Sequence, residues 1–209
     1  HLQPWKDSGY KAFSFAAWLD TQIDEGTLTE LRCPSSLTSL PERLGQLKML
    51  QTLDLSECKG LVSLPDLSGL AQLEVKDIDL PDHLQPWKDS GYKAFSFAAW
   101  LDTQIDEGTL TELTCPPTLT SLPERLGECT GLQTLDLDGC KILVSLPEQL
   151  GECTGLQSLC LTNCSGLVSL PEWLGECTGL HTLNLFRCSR LVSLPDLSGL
   201  AQLTVYGLP

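Results

Sequence analysis

Leucines recur along the chain in a pattern that predicts a series of short strands. The pattern Leu-x-x-Leu-x-Leu-x-x-Cys begins at Leu50, Leu132, Leu156 and Leu180. The last three of these starts are separated by a constant 24 residues. Inside each copy, the Leu-x-Leu alternation has the two-residue period of a half-buried strand. Weaker copies bring the number of predicted strands to eight, and they begin at Leu28, Leu70, Leu110 and Leu200.

The segment between two strands predicts a turn that returns the chain to the start of the next strand. Pro147 ends the strand pairing and favours the start of a short helix or turn. Residues 148–153 then run back, with Leu150 and Cys153 expected to point inward, and Gly155 supplies the next turn. One such unit cannot bury its own leucines, so stacked units are expected to form one core and one parallel sheet.

With these motifs the chain resembles a leucine-rich repeat protein over about 28–78 and 110–206. The motif Leu-x-Leu-x-x-Cys-x-x-Leu-x-x-Leu-Pro-Glu is most similar to the repeats of plant intracellular immune receptors. The portion Leu-Pro-x-x-Leu-Gly also resembles Scribble-type intracellular repeat proteins. The resemblance implies an α/β solenoid with a curved parallel β-sheet on the concave side and short helices or turns on the convex side.

The chain also contains a longer duplication in addition to the short repeat. Residues 1–45 return at 83–127 with differences only at the pairs Arg32/Thr114, Ser35/Pro117 and Ser36/Thr118. Residues 89–105, and their copy at 7–23, predict an amphipathic helix that starts near Asp89 or Ser90. Its apolar face is expected to pack on the solenoid through Phe97, Trp100, Leu101 and Ile105.

The solenoid is therefore expected to carry two inserted amphipathic helices and to contain four modules. These are a helix module at 1–27, a short repeat array at 28–82, the duplicated helix module at 83–109 and a second array at 110–209. We expect one continuous solenoid. The final stretch LTVYGLP ends on a strand and a turn, which predicts an open sheet edge where the array continues or a partner pairs.

The net charge of −14 limits the classes of partner. Nucleic acids and anionic membrane surfaces need a basic face, so neither is expected, whereas a protein with a basic surface is favoured. No apolar run approaches the roughly 20 residues of a membrane span, so membrane insertion is not expected. Because the chain begins with His1, the absence of a signal segment excludes little.

The ten cysteines follow the repeat and do not form a pattern typical of disulfides. Cys58, Cys140, Cys164 and Cys188 share one repeat position, and another is shared by Cys129, Cys153 and Cys177. A residue type that recurs with the repeat is expected to fill the same small buried space each time. We therefore expect reduced thiols and an intracellular, cytoplasmic protein.

The positions between the strand leucines differ from one repeat to the next, and they predict a protein-binding surface on the concave sheet. Aromatic and arginine side chains are the usual anchors of such surfaces. The alternative is that these positions are solvated and vary freely. The candidate residues are Thr52, Asp54, Ser56, Glu57, Thr134, Asp136, Asp138, Ser158, Cys160, Thr162, Asn163, Thr182, Asn184, Phe186, Arg187 and Tyr206.

Chemistry beyond binding has little support in the sequence. Asp136 and Asp138 beside Asn163 suggest a cation site, but two solvated carboxylates are the favoured interpretation. Cys160 takes an outward position with His181 as the nearest base, and a neutral surface thiol is favoured over a nucleophile. We expect no catalytic, cofactor or metal site. Trp173 replaces Arg or Gln of sister repeats and predicts an exposed second contact patch.

Two functions follow from this pattern. The first is a non-enzymatic recognition module, part of a longer protein, that binds a protein through the concave face. The second is a structural subunit that docks into a larger assembly through its aromatic helices.

Overall fold

Eight strands of three residues each coincide with the eight copies of the leucine pattern. They are seen in a computed structural model that describes residues 15–76 and 82–207 and divides into two compact units, 1–96 and 97–209. In the described residues, the eight strands lie in two parallel sheets of three and five strands. Each strand sits in its sheet with the central apolar residue turned inward.

The first unit begins with helix α1 (Phe15–Glu25). Its parallel sheet has the order β1 (Glu30–Arg32), β2 (Thr52–Asp54) and β4 (Glu74–Lys76), and a 3₁₀ helix covers Glu42–Gln46. The chain then forms a 3₁₀ turn at Asp82–Leu84 and the short helix α2 (Gln85–Asp89). Two additional short strands pair antiparallel, β3 (Ser63–Leu64) with β5 (Phe95–Ser96).

The second unit begins with helix α3 (Phe97–Glu107), which has the same sequence as α1. Its sheet follows chain order through β6 (Glu112–Thr114), β7 (Thr134–Asp136), β8 (Ser158–Cys160), β9 (Thr182–Asn184) and β10 (Thr204–Tyr206). Between strands lie 3₁₀ helices at Glu124–Glu128, Glu148–Glu152 and Glu172–Glu176, each preceded by a proline in an extended conformation. Proline at that point fixes the turn geometry that the sequence predicted.

The core of each unit is a stack of leucines joined by a ladder of buried thiols. Leu135, Leu159 and Leu183 lie directly beside one another in the sheet and are fully buried. Cys164 Sγ donates to the carbonyl oxygen of Leu137 at 3.1 Å, and Cys188 Sγ does the same to Leu161 at 3.0 Å. A thiol suits this place because it is small and apolar yet satisfies a carbonyl of the preceding repeat. All ten cysteines are free thiols.

The buried thiols predict that stability falls at alkaline pH. Burial raises the pKa of Cys140 and of Cys153 from an ordinary value of 9.0 to about 12. The folded state thus favours the neutral form of these thiols. Below about pH 9 the neutral thiols make their full contribution to the free energy of unfolding, and that contribution is lost as the pH rises towards 12. Denaturant unfolding measured from neutral to strongly alkaline pH is expected to show that decline. The double variant Cys140→Ala/Cys153→Ala should decline less steeply, and equal slopes would contradict the account.

The predicted helix at 89–105 is wrong in its start. Helix α2 ends at Asp89, and Ser90 closes it by donating its hydroxyl to the carbonyl oxygen of Trp87 at 2.7 Å. Gly91 and Tyr92 then have φ values of 72° and 65°, a left-handed conformation that no α-helix continues through. The long helix therefore begins only at Phe97. Of the predicted copy at 7–23, residues 7–14 lie outside the described residues, and the remainder is in α1.

The two long helices pack against their own units through the same face. Leu101 and Ile105 are buried in α3, as are Leu19 and Ile23 in α1, whereas Trp100 and Trp18 are half-buried. Arg125 lies in the 3₁₀ helix that follows α3, and its guanidinium lies 2.6 Å from the carboxylate of Asp106 in α3. Arg43 pairs with Asp24 of α1 in the same way. Each long helix thus packs beside the first 3₁₀ helix of its unit. Because these ion pairs are exposed, the leucines and isoleucines contribute most of the stability.

Trp173 is buried, so the prediction that it forms an exposed contact patch is wrong. Its side chain packs directly on Gly151, and a methyl group added there would lie 2.9 Å from Trp173 Cβ. A glycine in one repeat therefore makes room for the indole of the next. The indole N–H has no hydrogen-bond partner in the part of the chain that the structure describes.

Candidate protein-binding surface

The register of the second sheet aligns its outward side chains in two rows. The first row contains Glu112, Thr134, Ser158, Thr182 and Thr204. The second row contains Thr114, Asp136, Cys160, Asn184 and Tyr206. At about 4.8 Å between strands, each row is about 19 Å long. We call these two rows, with the turn residues that follow the strands, the sheet surface.

The third residue of a strand often closes the turn that follows it. The carboxylate of Asp136 accepts a hydrogen bond from the backbone N–H of Asp138 at 2.9 Å. Asn184 accepts one from Phe186 N–H at 3.1 Å, and Asp54 accepts bonds from both the N–H and the hydroxyl of Ser56. These are Asx turns, in which a short polar side chain replaces a backbone acceptor. The residue type at this position therefore has a structural reason besides any role in binding.

Electrostatics at Asp54 agree with this role. Burial alone would raise the pKa of Asp54, but the hydrogen bonds from Ser56 and the nearby Arg32 and Lys76 more than offset it, and the pKa is lowered. Arg32 Nε lies 3.6 Å from the Asp54 carboxylate. The ionised carboxylate is therefore the form that holds the turn after β2.

The turns after β7, β8 and β9 each contain one residue in a left-handed conformation. Gly139, Asn163 and Arg187 occupy this same position in successive repeats, with φ values of 77°, 58° and 61°. Glycine and asparagine tolerate this conformation, whereas arginine is strained there. Arg187 places its guanidinium 5.2 Å from the centre of the Phe186 ring, within the range of a cation–π contact.

Replacing Arg187 with glycine is expected to raise stability while removing a surface anchor. Relief of the left-handed strain should contribute about 1 kcal/mol, partly offset by loss of the contact with Phe186. Urea unfolding of Arg187→Gly measures this change in stability. Gly139→Ala, which replaces the glycine of the equivalent turn by a residue with a side chain, is measured in parallel. The first should be at least as stable as wild type and the second less stable. A clear loss of stability in Arg187→Gly would show that the arginine serves the fold.

The two ends of the sheet surface differ in chemistry. At the end nearest β10, Phe186 and Tyr206 have exposed fractions of 51% and 54%, with Arg187 also exposed. We call these three residues the aromatic cluster. Towards β6, Glu112, Asp136 and Asp138 form an acidic region, where Asn163 Nδ2 donates to the Asp138 carboxylate at 2.9 Å. One surface thus offers an anchor at one end and negative charge at the other.

Residues 131–153, which include β7, match a protein-family model described as Leucine Rich Repeat. The repeat at residues 131–153 is therefore similar to a leucine-rich repeat. Each of the two units is an α/β leucine-rich repeat array with its parallel sheet and short helices.

Several solved structures are similar to this chain. The leucine-rich repeat domain of the type III effector XopL has 21% sequence identity and a TM-score of 0.49, with 98% of this chain and 87% of that one covered. A leucine-rich repeat protein of Leptospira interrogans has 25% identity and a TM-score of 0.43, over 90% of this chain and 38% of that one. An internalin (InlF) of Listeria monocytogenes has 16% identity and a TM-score of 0.36, over 94% and 71%. No curated protein sequence matches the chain.

The structure leaves every predicted surface residue at least partly accessible. In the second array, Asp138, Phe186, Arg187 and Tyr206 are exposed. Thr134, Asp136, Ser158, Cys160, Thr162, Asn163, Thr182 and Asn184 are half-buried. The remaining four belong to the first array, where Glu57 is exposed and Thr52, Asp54 and Ser56 are half-buried. The candidate residues thus fall into two groups on two separate sheets.

Cys160 is in surroundings that do not activate a thiol. Its Sγ lies 3.4 Å from the hydroxyl of Thr162, and burial is the main cause of a raised pKa. A nucleophilic cysteine needs the opposite, a lowered pKa and a nearby base. Across residues 15–76 and 82–207, no three His, Cys, Asp or Glu side chains are grouped so as to hold a metal ion. No helix in these ranges is both long and apolar enough to span a membrane.

The surface residue that sequence comparison undervalued is Glu112. It opens the first row beside Thr134 and is exposed, so it extends the acidic region to the sheet edge. Its copy of the leucine pattern is weaker, because Cys115 stands where the copies that begin at Leu50, Leu132, Leu156 and Leu180 have leucine. The pairing of Leu113 with Leu135 places Glu112 beside Thr134 in the sheet.

Proposed function

We propose that this protein binds another protein through the sheet surface of its second array, with the aromatic cluster as the principal anchor. The observation that carries the proposal is Arg187, a strained arginine beside the exposed ring of Phe186, at a position where a sister repeat has glycine. Strain that a simple substitution would remove is a reason to infer function. Large aromatic and arginine side chains are also the residues that dominate binding energy at interfaces.

The partner is expected to present a basic segment beside an apolar one. Glu112, Asp136 and Asp138 would face the basic segment, and Phe186 with Tyr206 the apolar one. The net charge of −14 favours the same class of partner and accelerates its encounter. Because Asp136 already accepts a backbone hydrogen bond, the more exposed Asp138 is expected to contribute more to specificity.

We further propose that the chain acts without catalysis as part of a longer intracellular protein. The sequences of its repeats are similar to those of the repeats in plant intracellular immune receptors and in Scribble-type proteins. The four modules that the sequence predicts, 1–27, 28–82, 83–109 and 110–209, belong to this proposal. The buried free thiols support a reducing location.

The alternative function, docking through the aromatic helices, has less surface available to it. Phe97, Leu101 and Ile105 of α3 are buried, which leaves the half-buried Trp100 and the charged face. Packing inside the protein therefore explains why this helix has apolar residues, without a role in docking. Trp100 remains the residue that distinguishes the two functions by substitution.

A selection experiment tests the proposal without knowledge of the natural partner. The full chain is used to select binders from a displayed library of random peptides, and the affinity of each binder is measured by titration calorimetry. Phe186→Ala and Arg187→Glu should each weaken binding at least about tenfold, which corresponds to about 1.4 kcal/mol. Val168→Ser, an exposed position outside the sheet surface, is the matched control. Binders that are insensitive to Phe186→Ala but sensitive to Trp100→Ala would support the alternative.

A further inference from the structure

The turns that follow β7, β8 and β9 continue the alignment of the strands. Gly139 N–H donates to the carbonyl oxygen of Thr162 at 2.9 Å, and Asn163 N–H donates to that of Phe186 at 2.8 Å. These hydrogen bonds place Asp138, Thr162 and Phe186 side by side, and we call these three residues the turn row. At about 4.8 Å between strands, the backbone of Asp138 lies about 9.6 Å from that of Phe186.

The turn row carries a charge at one end and an aromatic ring at the other. The side chains of Asp138 and Phe186 are exposed, whereas Thr162 between them is shorter and half-buried. Cys160, which precedes Thr162 on the same surface, is also short and half-buried. The middle of the row is therefore low, so a ligand that crosses it contacts both ends at once.

The low middle of the row offers hydrogen bonds to a peptide backbone. The hydroxyl of Thr162 accepts a hydrogen bond from Cys160 Sγ at 3.4 Å, so it can donate its own proton to a peptide carbonyl. Ser158 and Thr182 add two further hydroxyls in the adjacent first row. An extended peptide needs such partners, because its N–H and C=O groups are unpaired, whereas those inside a helix bond to each other. The surface therefore favours an extended ligand.

We propose that the partner crosses the turn row as an extended segment whose main apolar residue and basic residue lie two or four positions apart. This inference rests on the proposed function and adds the conformation and the spacing of the ligand. Side chains on one face of an extended chain recur every two residues, so these spacings are about 6.6 and 13 Å. Each differs by no more than about 4 Å from the separation of Asp138 and Phe186, which the flexible stem of a lysine spans. An odd spacing would turn the basic residue away from the sheet.

The sequences of the peptides selected with the full chain test this spacing. Alanine scanning of each peptide whose affinity falls with Phe186→Ala identifies its main apolar residue. Basic residues are expected two or four positions from that residue, and not one or three positions from it. Enrichment at three and four positions with none at two indicates a helical ligand and overturns the proposal, as does equal frequency at all positions. Peptides that are all insensitive to Phe186→Ala contradict the proposed function itself, which is a different result.

Moving the basic residue tests the role of Asp138 in a single peptide. Exchanging that residue with its neighbour shifts it by one position and leaves the composition and charge of the peptide unchanged. The shifted peptide is expected to bind about threefold more weakly, within the range for an exposed ion pair. The difference between the two peptides should disappear in Asp138→Thr, which introduces the residue that the next repeat has at Thr162. A difference that persists in Asp138→Thr would overturn the proposal.

The control for net charge is Glu176→Gln. This glutamate is exposed in the 3₁₀ helix Glu172–Glu176, outside the sheet surface, and its substitution changes the net charge by the same amount as Asp138→Thr. The difference between the original and the shifted peptide should therefore remain in Glu176→Gln. Its disappearance there would mean that the overall charge of the chain, and not the position of Asp138, determines the preference, and the proposal would be wrong.

Discussion

Replacing Gly127 with alanine is expected to destabilise the second array by about 3 kcal/mol. The 3₁₀ helices of successive repeats stack on one another, and a methyl group at Gly127 would overlap the carbonyl oxygen of Gln149 in the next repeat. A backbone atom cannot rotate away as a side chain can, so the two repeats must separate. Denaturant unfolding followed by the fluorescence of the buried Trp173 measures the loss.

The control for this substitution is Gly131→Ala. A methyl group there would lie 3.9 Å from its nearest neighbour, the carbonyl oxygen of Leu110, which is ordinary van der Waals contact. Its effect on stability is expected to be within about 0.5 kcal/mol of zero. Equal effects of the two alanines would mean that conformational freedom, and not repeat stacking, requires glycine at residue 127.

Replacing Leu159 with alanine is expected to cost about 3 to 4 kcal/mol of stability. The leucine is fully buried at the centre of β8, between Leu135 and Leu183 of the neighbouring strands. Its removal leaves a cavity inside a stack that backbone hydrogen bonds on both sides hold at fixed spacing, so the cavity cannot close fully. Thermal unfolding followed by circular dichroism gives the shift in melting temperature.

Val144→Ala is the matched control because this valine is 62% exposed in the same array. The change removes two methyl groups without leaving a cavity, and its effect on stability is expected to be below about 0.5 kcal/mol. A loss comparable with that of Leu159→Ala would indicate that Val144 lies against another surface in solution.

The sequence predicted the repeated strands because their signal is local and recurs. The Leu-x-Leu alternation and the buried cysteine set the inward side of each strand, and all eight predicted strands are present. The α/β leucine-rich repeat fold is therefore confirmed. The alignment of Asp136, Cys160 and Asn184 in one row follows from the same 24-residue period.

The features that the sequence did not predict depend on contacts between repeats. Trp173 is buried because Gly151 of the preceding repeat leaves space for it, and no property of tryptophan alone indicates that. The helix predicted from Asp89 is interrupted at Gly91 and Tyr92 because the segment before Phe97 packs on the end of the first array. Apolar periodicity gave no sign of that competing partner. The Asx turn at Asp136 likewise became visible only from its hydrogen bond.

The binding surface itself remains a prediction, and oxidative footprinting with a selected binder tests it most directly. Hydroxyl radicals modify accessible aromatic side chains, so Phe186, Tyr206 and Trp100 are read in one experiment by mass spectrometry. The account predicts strong protection of Phe186 and Tyr206 by the bound partner and unchanged modification of Trp100. Protection of Trp100 with no change at Phe186 and Tyr206 would contradict it and would favour docking through the helices.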